Sequence, residues 1–232
     1  FELNKSSRTF FPTMYDFLSK RRIESLSSLS SDKDLSSVLL SKNIDMENIF
    51  AKASVFTNID FNVTLSDYNL WALVAYSDYM KSLIKRDMKE SLVLIELQKL
   101  NYLERLSQYH DKYAAKALEQ LWAEYEGEPI SVETVDQLVS VLLEDNSFGI
   151  RENTDNEDAN IKSAYDLLKE YVSKYSDYER IGLLENRLAE LLNPELKITG
   201  KSTYGTNSEK LFEASYRNLS SQKLKLYKLH SQ

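Results

Sequence analysis

The sequence predicts a mainly α chain of antiparallel helical pairs that passes, near its end, into the start of an antiparallel β-sandwich domain. Three observations carry this expectation. Five Gly and three Pro in 232 residues, about 3% where average usage is about 12%, leave too few turn formers for an all-β fold over most of the length. Apolar residues recur at three- and four-residue spacing through most of the chain, the signature of amphipathic helices. After Pro194 the period falls to two, the signature of strands.

Taken in order, Thr13 is placed to cap a helix whose apolar residues are Met14, Phe17, Leu18 and Ile23. Residues 24–43 are crowded with Ser and read as a surface connection. Ile49, Phe50, Ala53, Val55, Phe56, Ile59 and Phe61 form an apolar cluster without a clean period, read as a turn of helix followed by an extended segment. From Ser66 or Asp67 as cap, Leu70, Leu73, Val74, Met80, Leu83 and Ile84 make a long helical stripe. Further helices are expected over roughly 88–109, 111–126, from Ser131 through Leu142, over 161–172, and from Ile181 to Leu192, where Pro194 ends the last. The polar stretch 146–158 is the candidate disordered segment. Beyond Pro194 the alternation marks three strands, around 196–198, 212–216 and 223–226. The implied division is a lead-in over 1–65, a helical domain over 66–193 and a partial β domain over 194–232.

Two helical pairs resemble each other. Ala117-Leu118-x2-Leu121-x3-Tyr125 aligns with Ala164-Tyr165-x2-Leu168-x3-Val172 at a spacing of 47, with a small Ala in the same phase. A small residue at a fixed position lets a partner helix approach closely, which is the packing device of tetratricopeptide (TPR)-type superhelices, so TPR-like hairpins are expected.

Charge narrows the function. The net charge is −7, which argues against nucleic acid as a partner, since that affinity rests on Lys and Arg neutralising phosphates. Seven Lys and Arg against three Glu after residue 193 give that part +4, and the part before it −11. There is no Cys, hence no disulfide, thiolate metal site or thiol nucleophile. No run approaches the roughly 18 apolar residues a membrane span needs. Residue 1 is Phe with no signal-peptide pattern behind it, so a longer parent protein is expected.

The chemistry-bearing residues read as structural. His110, in Tyr109-His110-Asp111, stands near a helix end with no nucleophile or second ligand beside it, and His230 is near the end of the chain. Pairs such as Asp87 with Glu90, or Glu124, Glu126 and Glu128, lie among Lys residues and read as solvated faces. Trp71 and Trp122 fall within apolar stripes. No Gly-rich phosphate loop is present. The expectation is no catalytic residue, no metal and no cofactor.

The order of parts carries a resemblance. Pro12-Thr13-Met14-Tyr15-Asp16-Phe17-Leu18 stands before the helices. Asn193-Pro194-Glu195-Leu196-Lys197-Ile198, Ser215-Tyr216-Arg217-Asn218-Leu219 and the Lys-alternating Lys223 to Leu229 follow them. Together these resemble the N-terminal region of the large alpha-2-macroglobulin-like proteins of Bacteroidetes. The resemblance implies an envelope protein, periplasmic or lipid-anchored, that traps proteases. This chain would be a non-catalytic scaffold partnered by the β domains of its own full-length protein and, through the whole, by a protease. The thioester of trapping members needs a Cys that this chain lacks. The alternative is a SusD-like glycan-binding outer-membrane lipoprotein, which also builds on TPR-like helices. On either reading a partner would meet the concave face of the hairpins, and Tyr76, Tyr79, Tyr113 and Tyr175, off the apolar stripes, are the candidate contact residues.

Overall fold

The computed structural model describes residues 9–29, 35–63, 67–106, 110–143, 157–200, 212–219, 221 and 223. They form ten helices, α1 (Met14–Leu29), α2 (Leu35–Ser41), α3 (Met46–Phe50), α4 (Ala53–Phe56), α5 (Tyr68–Lys85), α6 (Lys89–Leu106), α7 (His110–Tyr125), α8 (Ser131–Leu142), α9 (Glu157–Lys174) and α10 (Gly182–Leu192). Two strands follow, β1 (Glu195–Gly200) and β2 (Phe212–Arg217). The expected coarse class, mainly helical with a small antiparallel sheet at the end, is what the structure has.

Thr13 begins α1 as the sequence suggests. Its hydroxyl accepts from the Asp16 backbone N–H at 3.2 Å, and the Asp16 carboxylate accepts from the Thr13 N–H at 3.0 Å. This reciprocal capping box satisfies two donors that a helix start leaves orphaned. Asp16 does more than cap. It is fully buried, and its carboxylate also accepts from the Thr13 hydroxyl at 2.6 Å, the Tyr79 hydroxyl at 3.1 Å and the Arg86 guanidinium. One side chain thereby ties the start of α1 to the middle and the end of α5, the helix against which α1 packs. Burial pushes the Asp16 pKa up, but the hydrogen bonds from Arg86, Thr13 and Tyr79 together outweigh it and hold it below the ordinary value.

Of the residues read as the α1 stripe, Ile23 is buried, whereas Met14 and Leu18 are exposed. The Ser-rich stretch is not a plain connection. It continues α1 to Leu29 and contains α2, whose Leu35 and Leu39 are fully buried. The apolar cluster that follows resolves into the short helices α3 and α4 and then irregular chain to residue 63. A second buried polar pair fastens these short helices to α6. Glu96 accepts from the Ala53 N–H, while the Lys99 ammonium donates to the Ala51 carbonyl at 2.6 Å and lies 4.4 Å from the centroid of the Phe56 ring. Asp67 is the cap of α5, accepting from the Leu70 N–H at 3.2 Å.

From α5 to α9 each helix packs on the next, α5 on α6, α6 on α7, α7 on α8 and α8 on α9. The structure also sets the phase of the internal repeat. In α7 the buried residues are Ala114, Leu118, Leu121 and Tyr125; in α9 they are Ala164, Leu168, Tyr171 and Tyr175. The spacing is 50, with three of the four pairs identical, so the 47-residue alignment on Ala117 is displaced by one turn of helix: Ala117 is only half-buried. The turns that follow share a hydrogen-bond register at the same offset. Glu128 N–H to Tyr125 O, Ser131 to Glu128 and Glu133 to Ile130 recur as Tyr178 to Tyr175, Ile181 to Tyr178 and Leu183 to Arg180, every one within 2.9–3.0 Å. Residues 110–142 and 157–192 thus begin as two copies of one helix-turn-helix unit.

The chain divides into compact units at Glu185/Asn186, inside α10, rather than at residue 193. The lead-in before residue 65 has no core of its own, since Ile23, Leu35, Ile49 and Phe56 belong to one apolar cluster with Leu70, Leu100 and Leu118. In the second unit, β1 and β2 pair antiparallel with Leu196 opposite Tyr216, Ile198 opposite Ala214 and Gly200 opposite Phe212, which gathers the apolar side chains on one face of the ribbon. The Asn218 amide donates to the carbonyls of Leu191 at 2.7 Å and Asn193 at 3.2 Å, satisfying backbone acceptors where α10 ends. The expected strand at 223–226 and the polar stretch 146–158 lie largely or wholly outside the described residues.

Candidate functional site

The four tyrosines expected to form a contact face do not form one. Tyr76 and Tyr79 are each 1% exposed and Tyr175 is 9% exposed. Tyr113 is half-buried with its ring stacked on Phe50 at 5.7 Å. The physical reason is clearest in α5. That helix has α1, α4 and α6 packed around it, so residues off its first apolar stripe enter a second buried face. The Tyr76 hydroxyl donates to the Gln98 carbonyl at 3.3 Å and the Tyr79 hydroxyl to Asp16. Burial raises the pKa of both, with the Asp16 charge adding to the rise at Tyr79. The tryptophans are half-buried, and the Trp122 indole donates to the Tyr171 hydroxyl at 3.0 Å, linking α7 to α9.

A groove of about 420 Å³ lies at the turn end of the two repeats. Its walls come from equivalent places. Glu128, Pro129 and Ile130 belong to the turn between α7 and α8, and Lys174 to Glu179 end α9 and form the turn before α10, while Phe10 and Glu90 close the side. The start of α6, the end of α7, the start of α8 and the end of α9 all meet here, so these helices alternate in direction.

A buried acid ties together residues around it. Glu133, in the first turn of α8 and 4% exposed, accepts from the Tyr178 hydroxyl and from Arg180 Nε, both at 3.1 Å. Burial raises the Glu133 pKa, opposed by Arg180 and by the Tyr178 hydrogen bond. Arg180 also lies over the Phe10 ring, 5.8 Å from its centroid, and the Phe10 carbonyl accepts from the Ser91 hydroxyl. Chain start, α6, α8 and the α9–α10 turn are thereby locked around one cavity.

Four carboxylates, on Glu90, Glu128, Asp177 and Glu179, line it together with Lys174. Glu128 is 3.6 Å from Lys89, and Glu179 accepts from the Thr9 hydroxyl at 2.9 Å. The Tyr175 hydroxyl is buried. The Lys174 ammonium lies 5.1 Å from the Tyr175 ring centroid, and its interaction with that hydroxyl holds its pKa above the ordinary value.

Sequence reasoning missed this groove because Glu90 and Glu128 were read as parts of a solvated face and Asp177 and Glu179 were not considered. A repeat search at a spacing of 50 finds it, since Tyr125 and Tyr175 each precede a turn rich in acids. Among the described residues no group of three or more His, Asp or Glu is placed to hold a metal ion, and no helix is long and apolar enough to cross a membrane. Compared with protein-family models, curated proteins and solved structures, the chain matches none.

Proposed function

We propose that the chain is a non-catalytic scaffold and interaction segment, built of TPR-like helical hairpins, within a larger alpha-2-macroglobulin-like protein of the cell envelope. The observation that supports this most is the 50-residue recurrence of buried positions and turn hydrogen bonds in α7–α8 and α9–α10. Stacked copies of one hairpin are the usual way to build an extended protein-binding surface from units that cannot stand alone. The β ribbon that follows the hairpins agrees with the domain order behind the resemblance. The partners on this reading are the further β domains of the same polypeptide and, through the whole protein, a protease held at the envelope. The glycan-binding alternative draws on exposed aromatic rings, and Tyr76, Tyr79 and Tyr175 are not among them.

Trapping has a distinctive readout in the intact protein. A caged protease is expected to keep its activity on a small chromogenic peptide and lose it on a folded protein substrate. Equal loss on both substrates, or no loss on either, would refute the trapping role.

A further inference from the structure

We draw no further inference here: the strongest candidate, the exposed apolar face of the β1–β2 ribbon on which Leu196, Ile198, Phe212 and Tyr216 lie, carries nothing because nothing in the structure shows what covers it.

Discussion

Replacing Asp16 by Ala should be among the most damaging single changes in the helical unit, although Asp16 lies within a sequence that reads as an ordinary first helical turn. The carboxylate is fully buried and takes donors from Thr13, Tyr79 and Arg86. Its loss strands the Tyr79 hydroxyl in a position 1% exposed, at a cost of about 1–3 kcal/mol for an unsatisfied buried donor. It also unpairs Arg86, whose side chain is 30% exposed and regains part of its hydration. Removing one partner of a buried pair costs about 3–5 kcal/mol in full burial, so the half-open Arg86 side brings the expected total to about 4 kcal/mol. That is a large share of the roughly 5–15 kcal/mol that holds a domain together. The assay is urea unfolding followed by circular dichroism at pH 7, with Arg86→Met and the double variant completing a cycle. A coupling of at least about 1.5 kcal/mol between residues 16 and 86 is expected, and a value below about 0.5 kcal/mol would refute the clamp. The sign with pH is a further check. The folded pKa of Asp16 lies below its ordinary value of 3.8, so its stabilisation is fully present above about pH 5 and drains as pH falls through 4 and below. Asp16→Asn should be correspondingly less acid-sensitive than the natural chain.

Lys99→Met should destabilise the chain by about 2–4 kcal/mol, since it leaves Glu96 buried beside the Ala53 N–H without its neighbouring cation; adding Glu96→Gln should return part of that loss, as neutral replacement of a buried pair commonly does. Burial pushes Lys99 down to about 8 and Glu96 up, each opposed by the other's charge, and failure of the second substitution to recover stability in a melting experiment would count against a coupled pair. The repeat phase makes a separate demand: Ala114→Leu and Ala164→Leu, at fully buried positions, should each cost about 1–3 kcal/mol by overpacking, while Ala117→Leu should cost less than either. Equal costs at all three in urea unfolding would refute the 50-residue alignment.

The local chemistry of the chain is written in its sequence wherever the cause is local. Thr13 and Asp67 announce helix starts because capping needs only a side chain and the N–H groups two or three residues on. Pro194 stops α10 because its ring and missing N–H act on its own backbone. The alternation at 196–198 and 212–216 fixes which side chains share a face of the ribbon whatever lies across it, and the register confirms those faces. What only the tertiary structure decided is which polar residues are inside. Asp16, Glu96, Lys99 and Glu133 look like surface charges, because their donors and acceptors come from residues between 3 and 70 positions away. Tyr76 and Tyr79 look exposed because a single helical stripe was counted, while α5 is covered on more than one side. The repeat lay in plain sight at a spacing of 50, but choosing it over 47 required knowing whether Ala114 or Ala117 faces a neighbour, and that is settled by packing. The groove follows from the same cause: its acids are ordinary turn residues until the second copy of the turn is set beside the first.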